Sequence, residues 1–560
     1  MKFILKSLPL VGMVLFVFCG QGGGENVIRN HAEIDHVKGQ LAKLAPVTVE
    51  CDDSALTADQ KTVLHKLVDA ARVMDRIFLK QVYAQNPAIL QELKSGDQPD
   101  YAVLKEYFTI NFGPFDRLDQ DRPFINTDKP KPLGANYYPA DMTREEFETF
   151  ISENPKMKEA FTSSFTIIRR NAKGELTAVP YSEAYAEELG EAARLLREAA
   201  EKAGNPTLKT YLMSRADAFE NNDYYQSDMD WMDLEDHQIE IVIGPYEVYE
   251  DNLFGYKAAF EAFVTLVDAE ESRKLQKLES LVLEMEKNLP IPEHHRNLTR
   301  GKSSPIVVVN EVFTGGDTKA GVQTLAFNLP NDERVREAKG SKKVMLKNIL
   351  RAKFDKIWIP IAQVALKGED FGQTSFDAYF NHVLMHEISH GLGPGKIVVD
   401  GRETSVNLEL KDLYSTLEEA KADVLGIYNL QYLIDEGVFP GELESRIYPT
   451  YLGGMFRSIR FGIDAAHGGG NAIQLNYLLE KDAFVYHPET AKFSVNRENI
   501  KTAVKELAAK LLMIQARGDY PEAARMIDAY RKISPEIKTV LDKLKDIPVD
   551  IRPEYQVASE

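Results

Sequence analysis

His386 and His390 stand four positions apart, with Glu387 beside the first, in the run Asn381-His382-Val383-Leu384-Met385-His386-Glu387-Ile388-Ser389-His390-Gly391. Positions four apart on an α-helix share a face, so the two imidazoles can be presented to one point. The stretch Phe380–Leu392 has helical periodicity with apolar residues along its other face, and Gly391 with Gly393-Pro394-Gly395 ends it. A chain carrying this run must build a packed helix whose polar stripe faces a partner that completes it. At 560 residues the chain is too long for one core, and about two or three domains are expected.

This spacing is the H-E-x-x-H arrangement of zinc hydrolases: His386 and His390 as ligands, Glu387 placed to take a proton from the attacking water. Zinc suits the work because it lowers the pKa of its water to about 7 and polarises a carbonyl. Core histidines satisfied by backbone carbonyls would show the same spacing, so a third ligand is needed to decide. The acidic helix Leu417-Glu418-Glu419-Ala420-Lys421-Ala422-Asp423 supplies candidates. Glu419 and Asp423 are one turn apart, so one can ligate while the other accepts the free N–H of a ligating histidine. His382 drifts off the 386–390 face and is read as a supporting or core residue. His294 and His295 lie in a polar stretch and read as surface.

Composition narrows the partners. With 67 basic and 86 acidic residues the formal charge is −19, and no basic stripe suits a phosphate backbone, so no nucleic-acid partner is expected. The only cysteines, Cys19 and Cys51, exclude a disulfide framework and an all-thiolate metal site. Lys2 and Lys6 precede an apolar run, Leu8 to Phe18, of about 11 residues, too short to span a bilayer. Cys19 and Gly20-Gln21-Gly22-Gly23-Gly24 follow. The pattern resembles a bacterial lipoprotein signal, with Phe18 where such signals place a small residue. The expectation is export to the cell envelope or periplasm, with membrane contact only through a lipid at Cys19; an unused leader would leave the chain cytoplasmic.

Periodicity predicts helices over Ala55–Lys80, Ser182–Lys202 and Asp268–Lys287, the last ended by Pro290 and Pro292. Asn111–Pro139 reads as loop. Gln238–Ile243 and Ile306–Phe313 read as buried strands, and Lys356–Leu366 as a strand or buried connector. From Ser375 to Ala516 the pattern is helical, interrupted by glycine loops at 391–395 and 468–470. Helices persist to about Tyr530, and a proline-containing tail follows.

Several separated motifs resemble the dipeptidyl peptidase III family of zinc exopeptidases. Glu418-Glu419-Ala420-Lys421-Ala422-Asp423 is similar to its E-E-x-x-[AG]-[DE] box, whose second glutamate binds zinc, which favours Glu419 as the ligand with Glu418 and Asp423 supporting. Gly244-Pro245-Tyr246-Glu247-Val248-Tyr249-Glu250-Asp251 resembles its E-x-Y segment. Asn328-Leu329-Pro330-Asn331 resembles its N-x-P-N loop, followed similarly by Gly340-Ser341-Lys342-Lys343-Val344, and Ala466-His467 matches a histidine that stabilises the reacting carbonyl. The matches keep their order over roughly residues 240–480, and Asn111-Phe112-Gly113-Pro114-Phe115-Asp116 fits the bacterial members. One departure is the zinc motif: most members have H-E-x-x-G-H, and the form here is one residue shorter, which restores regular helical spacing.

The resemblance implies an α+β protein of two lobes separated by a wide cleft, one mostly helical with one zinc ion per chain, the other mixed with a β-barrel core. On that reading residues 1–29 are signal and tether. The mixed lobe takes 30–267, 304–345 and 537–560, and the helical lobe takes 268–303 and 346–536. It further implies release of dipeptides from the free N-terminus of short peptides. Glu247 would pair with the substrate ammonium, Asn328 and Asn331 bind the peptide backbone, and Tyr249 and His467 stabilise the oxyanion. The rival readings are another H-E-x-x-H-plus-glutamate enzyme, endopeptidase or aminopeptidase, and an exported peptide-binding lipoprotein without catalysis. No G-x-M-x-N signature supports an aminopeptidase, and the intact Glu387 speaks against loss of catalysis.

Overall fold

Strand β1 (Leu44–Val49) leads into a long helix, α1 (Ala58–Val82), in the computed structural model of the chain, which describes residues 26–298 and 305–558. The leader, Cys19 and the glycine tether therefore lie outside the described residues. Helix α1 starts at Thr57, where the Thr57 hydroxyl accepts from Gln60 N–H and the Gln60 side chain accepts from Thr57 N–H. That reciprocal cap satisfies two donors that the first turn leaves free. Its buried residues Val63, Leu67, Ala70, Met74 and Ile77 recur every three or four positions. Helix α2 (Ala186–Lys202) lies alongside it.

Helix α1 covers a five-stranded sheet formed by β2 (Ile239–Glu247), β3 (Ala259–Val267), β4 (Ile306–Gly316), β5 (Ala326–Leu329) and β6 (Lys342–Leu346). The strand order is β2-β3-β4-β6-β5, with β4 and β6 parallel and the other pairs antiparallel. No closed barrel is found among the described residues, and β5 stands at an edge. Gly315 marks how closely helix and sheet approach: a Cβ there would lie 2.2 Å from the Ala71 carbonyl oxygen. The expected strand runs are present and extend further, to Glu247 and Gly316. Helix α3 (Ala269–Asn288) begins where the Asp268 carboxylate accepts from Glu271 N–H and ends before Pro290, as its sequence predicts.

The second half is helical: α4 (Phe376–Ser389), α5 (Tyr414–Asp435), α6 (Glu444–Ile459), α7 (Ala466–Glu480) and α8 (Ile500–Arg517). Helix α5 is central, packed against α4, α7 and α8. No helix among the described residues is long and apolar enough to cross a membrane.

Three expectations are corrected. Lys356–Leu366 is not a strand but a buried helical segment: a π-helical turn over Phe354–Trp358 runs into a helix over Ile359–Ala365. The buried positions Ile357, Trp358, Ile361, Ala362 and Ala365 keep helical spacing, which the β-branched Ile357, Ile359, Ile361 and Val364 in the run obscure. Gly468, Gly469 and Gly470 are not a loop but the first turns of α7. Cβ atoms there would fall 2.0 Å from Gly462 O, 2.6 Å from Ile463 O and 3.0 Å from Ala420 N, so close packing on α5 and the preceding turn requires glycine. The tail forms a helix (Pro535–Leu541) and a strand, β7 (Asp550–Tyr555), paired in parallel with β1 from Leu44↔Asp550 to Val49↔Tyr555. Asn111–Pro139 is loop as read, apart from two-residue strands at Phe115–Asp116 and Arg122–Pro123.

Candidate metal centre and catalytic site

His386 occupies the last turn of α4 and His390 the position that caps it, so both rings emerge where the helix stops and the backbone turns away. Their Nδ1 atoms are each held by a carboxylate from α5: His386 to Asp423 Oδ1 at 2.7 Å, His390 to Glu418 Oε1 at 2.9 Å. Burial works to raise both carboxyls, but His386 holds Asp423 at about 2, and Lys421 with His390 holds Glu418 at about 2. An ionised carboxylate only accepts, so each ring carries its proton on Nδ1 and turns a lone pair outward from Nε2. Further contacts fix the carboxylates. Asn471 and Gln474 donate to Asp423 Oδ2 at 2.9 and 3.0 Å, and Gln515 donates to Glu418 Oε2 at 2.8 Å.

The two Nε2 atoms face each other at 3.1 Å, and Glu419 Oε2 lies 3.3 Å from one and 3.7 Å from the other. These three atoms fall within 4.8 Å of one another, and Glu419 Oε2 is a buried oxygen whose other polar neighbour is His467 Nδ1, 3.1 Å away. Lone pairs packed so closely repel unless a cation sits among them. Burial lowers the proton affinity of His386, yet Asp423 and Glu419 outweigh it and push its pKa up to about 10. Without a metal the ring would recruit a second proton; a divalent ion would do that work, and two imidazoles with one carboxylate are a donor set that suits it. His382 is absent from the cluster: its Nε2 donates to the Asp423 carbonyl at 3.0 Å. A second grouping, His36, Asp116 and Asp119, is a poor cation site, because Asp116 already accepts from the Tyr107 hydroxyl, from Leu118 N–H and from the Gln40 side-chain amide.

Glu387 projects from the same turn. Burial would raise its carboxyl, but Lys343 outweighs that and holds it below its usual range, with Lys343 Nζ donating to Glu387 Oε2 at 2.9 Å and to its carbonyl at 3.0 Å. Lys343 belongs to β6, so this contact joins the sheet to the histidine helix. The sequence offered no signal for its role beyond its place after the N-x-P-N loop. Its neighbour Lys342 points to the opposite face, where it meets Glu240 at 3.1 Å. His467, at the start of α7, lies with Nδ1 3.1 Å from Glu419 Oε2, and that contact raises its basicity.

A second group gathers at the end of β2. Asn331 Nδ2 donates to the Tyr246 carbonyl at 3.1 Å and to Glu247 Oε1 at 3.4 Å, and burial raises the Glu247 carboxyl. Asn328 on β5 is the cross-strand partner of Lys343, which places it one strand from Glu387. Tyr249 is 77% exposed, and neither it nor Glu247 bonds to the histidine cluster. A cavity of about 630 Å³ opens on the histidines, lined by Leu325, Ala326, His386, Glu387, Arg457 and His467 among others.

A helix-borne pair of histidines, a buried carboxylate from a neighbouring helix and an adjacent glutamate, set against an edge strand, make a candidate metal centre of hydrolase type in an α+β protein. The sequence pattern of peptidase family M49 matches residues 136–432, and the chain belongs to that family, the dipeptidyl peptidase III metallopeptidases. It is a peptidase. A solved dipeptidyl peptidase III from Caldithrix abyssi is 57% identical, with a TM-score of 0.90 over 93% of this chain and 99% of that one. The enzyme from Corallococcus sp. strain EGB is 44% identical, with a TM-score of 0.77 over 95% and 98%. Among curated proteins, Nudix hydrolase 3 of Arabidopsis thaliana is 37% identical over 95% of this chain and 76% of its own length. Rat dipeptidyl peptidase 3 is 25% identical over 54% and 47%.

Proposed function

We propose that the protein is a zinc exopeptidase that releases dipeptides from the free N-terminus of short peptides. The observation that supports this reading is the convergence of two Nε2 lone pairs and the buried Glu419 oxygen, tied through Lys343 to the sheet whose strand β2 ends at Glu247, the residue Asn331 reaches from the loop after β5. Zinc held by His386, His390 and Glu419 supplies a Lewis acid and a water of lowered pKa. Asp423 and Glu418 keep the imidazoles oriented and in the ligating tautomer. Glu387 takes the proton of the attacking water, its carboxylate kept ionised by Lys343.

Glu247 pairs with the substrate ammonium, and Asn328 and Asn331 hydrogen-bond the peptide backbone beside it. Fixing the free N-terminus there sets the register, because the second peptide bond then reaches the histidines. His467 stabilises the developing oxyanion, together with Tyr249, whose exposed ring is free to meet a bound peptide. Export, with a lipid at Cys19, belongs to the same reading and rests on the leader sequence alone.

Metal analysis of the purified protein and of Glu387→Ala tests the centre. About one zinc per chain is expected in both, with turnover lost only in the variant and restored to the chelated wild-type protein by zinc. Substantial turnover by Glu387→Ala would refute the mechanism.

A further inference from the structure

Lys353 ends the short helix Lys347–Lys353 that follows β6, and Asp550 opens β7, almost two hundred positions further along the chain (550 − 353 = 197). Their side chains are each 1% exposed, and Lys353 Nζ lies 2.8 Å from Asp550 Oδ1 and 3.0 Å from Oδ2. The pair is not closed on itself. Lys353 Nζ also donates to the Gln323 carbonyl, and Asp550 Oδ2 accepts from Gln323 N–H at 2.7 Å. One buried ion pair therefore holds the backbone of one residue by both its donor and its acceptor. Asp550 Oδ1 accepts from Ile551 N–H at 2.8 Å as well, so all three donors of the ammonium and both carboxylate oxygens are engaged within the protein.

Gln323 is a residue that needs such a hold. It lies in the irregular segment before β5, between Gly321, whose N–H donates to the Ile110 carbonyl at 3.0 Å, and Leu325, whose carbonyl accepts from Leu346 N–H at 2.9 Å. No strand ladder fixes this backbone, and its buried polar groups must find partners elsewhere. The side chain is tied down too, with Nε2 donating to the carbonyls of Lys319 and Gly321 at 3.3 and 3.2 Å. Val322, Gln323, Thr324 and Leu325 form a wall of the cavity that opens on His386 and Glu387. Apolar residues of similar volume often replace a buried ion pair without loss of stability, so what this pair supplies is position. The segment that carries Lys353 already serves the site once: Lys343, earlier in it, holds Glu387.

We propose that Lys353 and Asp550 are positioning residues of the peptidase reaction, which act through the Gln323 backbone to set the cavity wall beside the departing part of the substrate. This rests on the peptidase reading, in which the second peptide bond meets the histidines and the residues beyond it occupy the cavity. The C-terminal strand β7 thereby takes part in choosing between longer and shorter substrates.

The test compares a pentapeptide with a dipeptidyl arylamide, which carries no residue beyond the cleaved bond, on zinc-loaded protein. Removing one charge would strand the other in the interior, so Lys353→Met and Asp550→Leu are made together. The ratio of kcat/KM for the pentapeptide to that for the arylamide is expected to fall roughly 10-fold, the order of one or two lost hydrogen bonds, through KM more than kcat. Lys353→Met with Asp550→Asn, which keeps an acceptor for Gln323 N–H, should recover part of the ratio. An unchanged ratio, or an equal loss on both substrates, would overturn the proposal. Hydrogen exchange over residues 321–325, read by mass spectrometry, follows the hold without any substrate. Faster exchange confined to that segment is expected in the Met/Leu variant; exchange unchanged there, or raised across the whole chain, would overturn the proposal. If no peptide is cleaved at all, the proposed reaction fails. Calorimetric binding of the pentapeptide to Glu387→Ala, expected to weaken roughly 10-fold with the paired change, then decides the role of Lys353 and Asp550.

Discussion

Replacing Lys343 by Met removes the cation that joins the sheet to the general base while keeping the length of the side chain. Lys343 donates twice to Glu387, to the carboxylate at 2.9 Å and to the carbonyl at 3.0 Å, and the two side chains are 20% and 25% exposed. A fully exposed pair would contribute about 0–1 kcal/mol, and losing one partner of a fully buried pair about 2–5 kcal/mol. This pair lies between, so a loss of about 1–3 kcal/mol is expected, or roughly 5- to 150-fold. The loss should fall on kcat more than on KM, because Glu387 acts on the water and not on the bound peptide. Zinc content should not change, since Lys343 touches none of the three ligands. Lys343→Arg should restore much of the rate, as a second cation reaching from the same strand. Steady-state kinetics on one peptide with metal analysis of each variant checks this. A Lys343→Met enzyme within twofold of wild type, or one that has lost its zinc, would refute the account of Lys343 as the residue that holds the base.

The metal ligands should separate from their supports in a zinc-competition titration. Glu419→Ala should lose zinc severely, whereas Glu418→Ala and Asp423→Ala, which free one imidazole each, should weaken it about 10- to 100-fold. Equal and small effects would return α5 to a solvated helix face. Stability should report Glu311, which is buried, accepts from Tyr555 Oη at 2.6 Å, and is pushed by burial from 4.5 up to about 7. A folded-state pKa above the unfolded value adds stability below pH 4.5 that is lost as pH rises through about 7. Glu311→Gln should therefore gain on wild type across that window, by up to about 3 kcal/mol at pH 8 in denaturant melts. A difference that does not vary with pH would exclude this origin.

How much of this was legible in the sequence depends on the range of the interaction. His386, Glu387 and His390 lie within one helical turn, so spacing alone brought them forward; it also offered Glu419 and Asp423 on the acidic helix, and the family box then favoured Glu419 as the ligand with Glu418 in support. Glu247 and Asn331 were reached through family motifs, and the structure sets them side by side across the sheet edge. Lys343 was not legible, because Lys342 beside it is chemically identical and only the strand's alternation decides which one meets Glu387. The glycines at 468–470 read as a loop because glycine is a poor helix former, and a backbone contact supplied by α5 overrides that preference. Strand β7 contains Pro553 and pairs with β1 at the opposite end of the chain, so nothing local announces it.

The central claim is that a free ammonium, fixed at Glu247, measures out a dipeptide. Mass spectrometry of the products from one pentapeptide, unblocked and N-acetylated, tests it with wild type and Glu247→Ala side by side. The unblocked peptide should yield its N-terminal dipeptide first. Acetylation and Glu247→Ala should each raise the barrier by about 2–5 kcal/mol, and together by less than the sum, because both break one contact. Equal cleavage of blocked and free peptides, or release of single amino acids, would contradict it.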